Sequence, residues 1–207
     1  FNQEGILAAE NGYDRLNFRA RLDQTVTTWL DVGVNALVSR YTRTSSDNNA
    51  FFQAFVNPPV YDVYNDSNKS AYPVKYDSPQ LYGFGNSYAN PYAVAQYVDN
   101  KEKGTNLIFS TYAQLNFLGD KLNVKSSYNL DFQTYRTQGY VPEYFVGGSQ
   151  GVSVSSLTKI FGQRDRHILD NTVTYADKIG SHNFTAMLGQ SVRIERFTAM
   201  NGSAVSV

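Results

Sequence analysis

The feature that most constrains the fold of this 207-residue chain is an alternation of apolar and polar residues that persists over long segments. A period of two places successive side chains on opposite faces of a β-strand, so each segment predicts a strand with one apolar and one polar face. The first pair of strands spans residues 13–42 and turns near Thr28. The second spans residues 106–137 and turns at Gly119, and the third turns near Gly180. The pattern predicts an all-β chain with about six long antiparallel strands.

The length of the alternating segments bears on the kind of all-β protein. Strands of soluble proteins usually run about 5 or 6 residues, whereas a tilted strand that crosses a membrane needs about 9 to 11. The alternation here persists for that length or longer, most regularly in residues 122–133. We therefore predict a segment of a transmembrane antiparallel β-barrel. A soluble sandwich with ordinary cross-strand packing is the alternative.

One face of each predicted strand carries the apolar side chains, and in a membrane barrel that face contacts lipid. Asn129 represents the opposite face. Trp29 at the tight turn, and Tyr13 and Tyr41 at the far end of the same hairpin, are interpreted as parts of two aromatic girdles at the membrane interfaces. The residues predicted to face lipid are Leu16, Phe18, Val32, Val34, Val124, Leu130, Phe184 and Leu188.

Short turns and long connections alternate along the chain. Outer-membrane barrels have short turns at the periplasmic rim and long loops at the cell surface. The three tight turns are therefore predicted to be periplasmic, and residues 45–106 and 138–163 are predicted to be extracellular loops. Residues 1–207 are interpreted as part of one barrel domain whose plug and remaining strands lie outside this sequence, because bacterial barrels start at about 8 strands.

Composition limits the possible partners and compartments. Lys plus Arg and Asp plus Glu are equal at 18 each, which argues against a nucleic-acid partner attracted by bulk charge. The chain has no cysteine, which excludes disulfides and thiolate metal sites. Its mean hydropathy is −0.41, and no apolar run approaches the roughly 18 residues of a membrane helix. Strands that place every second residue in lipid remain compatible with this value.

The long predicted loop at residues 45–106 is rich in aromatic residues. Loops beyond about 12 to 15 residues are usually functional or disordered. A tyrosine ring covers the C–H surface of a flat ligand or sugar, while Asn and Asp satisfy hydroxyl groups. Packing of these rings within the loop is the alternative. The predicted pool of substrate-binding residues is Tyr61, Tyr64, Tyr72, Tyr76, Tyr82 and Tyr88.

Two local elements are predicted within the loops. Asn90 followed by Pro91 is a pattern typical of an N-cap and first helical residue, which predicts a short helix near residues 91–98. In the second loop, Gly147 and Gly148 precede a short apolar alternation. This pattern predicts a small hairpin.

No catalytic site is predicted. Residues 147–151 match the G-x-S-x-G pattern around Ser149, but a nucleophile elbow requires a helix immediately afterwards, and the residues that follow are typical of a strand. A serine hydrolase is retained only as a minor alternative. The pattern at residues 83–85 lacks the third glycine of a dinucleotide site and indicates a turn.

No metal site and no cofactor are predicted either. Asp62, Asp66 and Asn68 could offer oxygen atoms to calcium, but their spacing departs from an EF-hand loop. A solvated polar turn is the favoured interpretation. His167 and His182 lack ligands at helical spacing, so they are interpreted as hydrogen-bonding residues near strand ends.

Several segments together resemble the early barrel region of SusC/RagA-type TonB-dependent transporters. Nearly the whole chain takes part in the resemblance. The segments mark the structure of the family and are not its binding residues. They are FNQEGIL at 1–7, YDRLNFRARLD at 13–23, WL at 29–30, VGVN at 32–35, NPY at 90–92, NTVTY at 171–175 and HNF at 182–184.

The resemblance implies the following expectations. The complete protein would be a barrel of about 22 strands with a plug in its lumen. It would lie in the bacterial outer membrane, in contact with membrane lipid and lipopolysaccharide, and would receive energy from the TonB complex. A SusD-like lipoprotein would close over its extracellular mouth, and the imported solute would be an oligosaccharide or a peptide.

The leading hypothesis for function is therefore import of a nutrient solute across the outer membrane. The alternative is a soluble all-β glycan-binding module that uses the same tyrosines, and it would fold without detergent. A serine-reactive phosphonate would test the hydrolase alternative through covalent labelling of Ser149.

Overall fold

The computed structural model describes residues 2–4, 11–45, 47 and 49–207, and of residues 2–4 only the backbone. Residue 1 and residues 5–7 of the family-like opening segment lie outside the described residues. The strands are β1 (Asn2–Glu4), β2 (Gly12–Thr27), β3 (Leu30–Ser45), β4 (Asp99–Phe117), β5 (Leu122–Val141), β6 (Tyr144–Gly147), β7 (Gln150–Val152), β8 (Ser156–Ile179) and β9 (His182–Val205). The helices are α1 (Asn49–Val56), α2 (Pro91–Gln96) and a 3-10 turn at Pro79–Tyr82.

Seven of the strands form one antiparallel sheet, in the order β1-β2-β3-β4-β5-β8-β9. The three predicted hairpins are present as β2–β3, β4–β5 and β8–β9. The six long strands contain 16 to 24 residues each. They are far longer than the strands of ordinary soluble sheets, which confirms the prediction of spanning length.

The cross-strand register places most apolar residues of the six long strands on one face of the sheet, although a few, such as the pair Leu37 and Ile108, lie on the other face. Val38 pairs with Leu107, which in turn pairs with Phe132. Direct pairing puts side chains on the same face, so the alternation seen in each strand adds up to one continuous apolar surface. We call this surface the outward face and its apolar part the lipid band. All eight residues predicted to face lipid lie on it.

The apolar side chains of the lipid band are not covered by a second layer of structure. Leu16 is 75% exposed and Leu188 is 76% exposed. Among the described residues, every fully buried apolar side chain lies in the connections between the long strands, and none lies in the seven-stranded sheet. The sandwich alternative, which would bury these residues between two sheets, is therefore excluded for the described part of the chain.

The dimensions of the lipid band match a membrane. On β4 the band runs from Phe117 to Leu107, which is about 34 Å along the strand at roughly 3.4 Å per residue. A strand tilt of about 40° reduces this to a height of about 25 Å, the apolar thickness typical of outer-membrane barrels.

The border of the lipid band also slants across the sheet. Along one cross-strand row, Phe18 and Val38 are apolar, whereas the residues of the same row on β8 and β9 are Asp165 and Arg196. A slanted border is the expected consequence of strands that tilt relative to the membrane.

The interpretation of Tyr13 and Tyr41 as lipid-facing girdle residues is wrong. Both side chains lie on the polar face of the sheet, where their rings are 6.0 Å apart. The Tyr41 hydroxyl donates a hydrogen bond to Glu102 at 2.9 Å. The alternation of each strand places both rings beside Arg and Asn residues, because Tyr13 shares its face with Arg15 and Asn17.

The strands reach farther into the predicted long loops than the alternation of apolar and polar residues indicates. Residues beyond the lipid band still pair across the sheet. The connection between β3 and β4 comprises residues 46–98, and that between β5 and β8 comprises residues 142–155. Within the described residues, no helix is both long enough and apolar enough to cross a membrane.

Candidate solute-binding loops

The two long connections pack into one folded body at the same end of the sheet. We call residues 49–98 together with the β6–β7 hairpin the loop body. Its core consists of Tyr76, Ala93, Tyr97 and Val146, all at most 7% exposed, and the rings of Tyr92 and Tyr144 pack against it. The two connections are therefore held together by their own hydrophobic core.

Asn90 is the central hydrogen-bonding residue of the loop body. Its side-chain oxygen accepts from the backbone N–H groups of Tyr92 and Ala93, as the sequence predicts for the N-cap of α2. Its side-chain nitrogen donates to the carbonyls of Val63 and Asp77, each at 2.9 Å. The residue is 1% exposed, so these bonds satisfy groups that water cannot reach.

Gln150 joins Asn90 to the second connection. The Gln150 side chain accepts a hydrogen bond from the Asn90 backbone N–H at 2.8 Å and donates one to the Asn90 carbonyl at 3.0 Å. A second bridge pairs Tyr72 with Phe145 through two backbone hydrogen bonds of 2.9 Å. The hairpin predicted near Gly147 thus forms and docks onto the longer connection.

Asp77 is a buried carboxylate that organises the tyrosine-rich side of the loop body. One oxygen accepts from the Asn65 side chain and from the Ser78 backbone N–H, both at 2.9 Å. The other oxygen accepts from the Tyr82 hydroxyl at 2.8 Å. Charge-assisted bonds of this kind hold a ring in a fixed orientation, so Tyr82 is positioned before any ligand arrives.

The six tyrosines of the predicted binding pool fall into four places. Tyr64 and Tyr76 stack with ring centres 5.3 Å apart, and Tyr61 and Tyr82 stack at 6.1 Å. Tyr72 stacks on Phe145, and Tyr88 meets Phe84 edge to face at 5.8 Å. Tyr76 is only 3% exposed and belongs to the core, whereas Tyr64, Tyr72 and Tyr82 are exposed. Of the six, these three rings are the ones most accessible to solvent.

Burial changes the acidity of several of these phenols. It raises the pKa of Tyr61 to about 12, with a smaller contribution from the charge of Asp77. Burial is also the main cause of the raised pKa of Tyr76. Both phenols therefore stay neutral to a higher pH than a solvent-exposed tyrosine does.

An exposed aromatic helix in the loop body was not predicted. α1 carries Phe51, Phe52 and Phe55 on its accessible surface, and Phe55 is 89% exposed. The helix begins where the Asp47 side chain accepts from the Asn49 backbone N–H at 2.9 Å. An Asp two residues before a run containing Ala and Phe is a helix-start signal that could have identified it.

The polar face of the sheet carries a network of charges that sequence analysis did not single out. Glu195 accepts from Arg193 at 2.6 Å and from Arg166 at 3.2 Å. Arg166 also lies 3.7 Å from Asp131 on the next strand. Arg164 borders a depression of about 360 Å³ beside this network. The face opposite the lipid band thus offers paired charges to a polar or zwitterionic solute.

The motifs set aside in the sequence have local structural roles. Ser149 lies in the turn between β6 and β7 and donates its hydroxyl to the Asn86 carbonyl at 2.9 Å, with a strand rather than a helix following it. Asn68 donates to the carbonyls of Tyr76 and Val146, and His167 bonds the Tyr128 hydroxyl at 2.7 Å. The described residues contain no group of three or more His, Cys, Asp or Glu side chains that could hold a metal ion.

These observations define a class of structure: a segment of a transmembrane antiparallel β-barrel with long, folded loops at one end. The chain superimposes on the solved structure of the RagAB peptide transporter with a TM-score of 0.72 and 17% identity, covering 99% of this chain and 23% of that chain. The RagAB peptide importer in its closed-closed and open-open states gives TM-scores of 0.70 and 0.69, each at 18% identity. The chain thus spans less than a quarter of the length of these structures.

No family model matches the sequence, and a comparison with curated proteins finds no match. At 17–18% identity, the likeness to the solved structures establishes the fold.

Proposed function

We propose that this chain is part of a TonB-dependent importer that carries a nutrient solute across the bacterial outer membrane. The observation that carries the proposal is the superposition of 99% of the chain on a peptide transporter. The uncovered lipid band supports a membrane location, because a soluble protein rarely exposes so large an apolar surface. The complete protein would work with the TonB complex through parts outside this sequence.

The solute in this proposal is a peptide or an oligosaccharide, bound at the loop end. The names of the similar structures favour a peptide. The charge network around Glu195 and Arg166 is compatible with the termini and side chains of a peptide. The exposed rings of Tyr64, Tyr72 and Tyr82 suit the apolar surfaces of either solute.

A SusD-like lipoprotein is the proposed partner at the cell surface. The exposed aromatic side of α1, at the loop end, supplies apolar area of the kind that protein interfaces use. The Ser149 hydrolase is not proposed, because its hydroxyl bonds a backbone carbonyl and lies in a hairpin turn.

Uptake in cells tests the proposal. A strain that lacks the complete gene should lose uptake of the labelled solute, and so should a strain that lacks TonB. Uptake should return when the gene is restored. A peptide mixture and an oligosaccharide mixture, supplied separately, identify the solute class. Uptake that is unchanged in both deletion strains would overturn the proposed function.

Protease added to intact cells tests the orientation. Cleavage is expected within residues 46–98 and 142–155, and not at the turns near Thr28, Gly119 and Gly180. Cleavage confined to those turns would reverse the orientation. Recovery of the complete protein in the soluble fraction would instead favour the glycan-binding module.

A further inference from the structure

A cluster of basic side chains lies on the outward face, between the lipid band and the loop body. Lys103 on β4 pairs directly with Arg136 on β5. Lys101 is two residues from Lys103 on the same face, and Lys159 pairs with Gln138 beside them. Arg40 on β3 pairs with Thr105, one step closer to the lipid band. We call these five residues the basic cluster.

The basic cluster surrounds two neighbouring depressions in the outward face. The larger, of about 630 Å³, is lined by Lys101, Lys103, Arg136 and Lys159 among others. The smaller, of about 390 Å³, adds Arg40. No Asp or Glu lines either depression. The basic residues of the cluster lie on β3, β4, β5 and β8, and each of these strands is paired on both sides.

The charges of the cluster are largely uncompensated. Lys103 and Arg136 are like charges directly opposite each other, an arrangement that destabilises a strand pair. Within the described residues, the cluster has one ion pair, between Lys101 and Asp99 at 3.3 Å. This imbalance is local, because the whole chain has a formal net charge of zero. A bound anion would relieve the repulsion between Lys103 and Arg136.

The cluster also has an apolar component. The Arg136 guanidinium lies 5.7 Å from the centre of the Phe161 ring, which holds the planar group in one orientation. Met200 lines the same depression. Guanidinium and ammonium groups next to apolar surface suit a ligand that is both anionic and apolar.

The height of the basic cluster above the lipid band indicates which type of ligand it can reach. Lys103 lies four residues beyond Leu107, where the lipid band ends on β4. Four residues correspond to about 14 Å along the strand, and to about 10 Å of height at a tilt near 40°. The basic groups therefore lie at the level of lipid headgroups. Apolar outward residues follow toward the membrane centre on β3, β4 and β5, namely Val38, Leu107 and Phe132, whereas on β8 the outward residues after Phe161 are Gln163 and Asp165.

We propose that the basic cluster binds the phosphate groups of a phosphorylated glycolipid of the outer leaflet, with its acyl chains along the lipid band. This inference rests on the proposed outer-membrane location and orientation. Phe161 and Met200 contact the glycolipid near its headgroup. The site lies on the opposite side of the sheet from the Glu195 network, so it is separate from the path of the solute.

The test uses the complete protein purified in a neutral detergent, with lipid binding followed by native mass spectrometry. Diphosphorylated lipid A is titrated against wild type and against the double variant Lys103→Gln/Arg136→Gln. Each basic group near a charged lipid surface contributes roughly a factor of five to affinity. Removal of two groups should therefore lower the affinity about 30-fold. The matched control is Lys69→Gln/Lys178→Gln, which removes two charges outside the cluster and should bind as wild type does.

Two further arms identify the chemistry. Lipid A without phosphate should bind wild type no more tightly than diphosphorylated lipid A binds the double variant, because that variant keeps three of the five basic residues. The swap Lys103→Arg/Arg136→Lys should retain binding, and heat-modified gel mobility verifies that every variant is folded. Equal affinity of wild type and the double variant for diphosphorylated lipid A would overturn the proposal. So would displacement of the lipid by inorganic phosphate at the same concentration, since the ligand would then be free phosphate.

Measurement of import and of membrane fractionation separates this inference from the proposed function. A wild-type protein that imports solute from the outer membrane but does not discriminate phosphorylated lipid would overturn the lipid site alone. A wild-type protein absent from the outer membrane would overturn the proposed function, and the lipid site with it.

Discussion

Tyr41 lies across Gly104 on the neighbouring strand, and its ring fills the space that a side chain at position 104 would occupy. The same relationship recurs on the polar face, where Tyr112 covers Gly33 and Tyr135 covers Gly162. A glycine in a strand interior leaves a gap in packing, and an aromatic ring from the paired position closes it. Three such pairs fill the space beside strand glycines on the polar face of the sheet.

Gly104→Ala should destabilise the protein through overpacking. The added Cβ would overlap the ring of Tyr41, which is itself held by its hydrogen bond to Glu102. We expect a loss of about 1–3 kcal/mol in the free energy of unfolding, measured by urea denaturation in detergent micelles. Gly189→Ala is the matched control, because its nearest atoms are at 3.6 Å, an ordinary contact. An equal cost for both variants would contradict the role of the ring.

Leu130→Arg should disturb the lipid band, whereas Asn129→Arg should be mild. Leu130 pairs with Phe109 and lies on the outward face, and Asn129 is its neighbour on the polar face. An arginine facing the bilayer interior costs about 2–4 kcal/mol, less toward the interface. Refolding into lipid vesicles with urea titration measures the difference. Similar losses for both variants would count against the assignment of the two faces.

Asn90→Ala should loosen the loop body without unfolding the sheet. The change removes the N-cap of α2 and leaves the buried carbonyl of Asp77 without its donor, whereas the Val63 carbonyl keeps the Asp77 backbone N–H at 3.0 Å. Loss of a cap and of buried partners together costs about 2–4 kcal/mol. Hydrogen exchange should rise in residues 60–97 and 144–152 and stay unchanged in β4 and β5. Asn86→Ala, at an exposed position, provides the control.

The loop body should lose stability at alkaline pH. The pKa of Tyr61 is about 12 in the folded protein and near 10 in an unfolded chain. Because the folded pKa is the higher one, the contribution of the neutral phenol is fully present below pH 10 and is lost as the pH rises through about 12. Tyr61→Phe should reduce this loss, since the Tyr61 hydroxyl is buried without a partner in the described part of the chain. Protease resistance of the loops between pH 8 and 12 reports the effect, and an identical profile for both proteins would contradict it.

Substitution of the exposed tyrosines should separate solute contacts from structural rings. The variants are Tyr64→Ala, Tyr72→Ala and Tyr82→Ala. A variant that loses a ring stacked on the solute should bind the solute more weakly by about 1 kcal/mol. Most variants should have no effect on binding, because only a minority of the residues in a binding site contribute strongly. Tyr76→Ala should instead loosen the loop body, because that ring is in its core. Calorimetry of solute binding and a pull-down of the lipoprotein, run on the same variants, distinguish a solute site from a docking surface. Loss of neither activity in any variant would remove the loop from the mechanism.

The sequence by itself determined which residues share a face. The alternation that separates Leu130 from Asn129 is a local property of each strand, since the side-chain period follows from backbone geometry alone. Turn residues such as Gly180, at a φ of +59°, and the N-cap at Asn90 are equally local. For this reason the three hairpins, the outward face and the short helix could all be predicted.

Tertiary structure decided which residues meet across strands and across loops. Asn90 and Gln150 are 60 positions apart, and only the docking of the hairpin makes them partners. Lys103 and Arg136 become neighbours through the register of β4 and β5. The alternation determines which face each residue lies on, but it does not determine which residues pair across the two strands. The burial of Tyr76 beside the exposure of Tyr64 likewise depends on long-range packing. Sequence patterns report the faces of single elements, whereas sites arise where different elements are brought together.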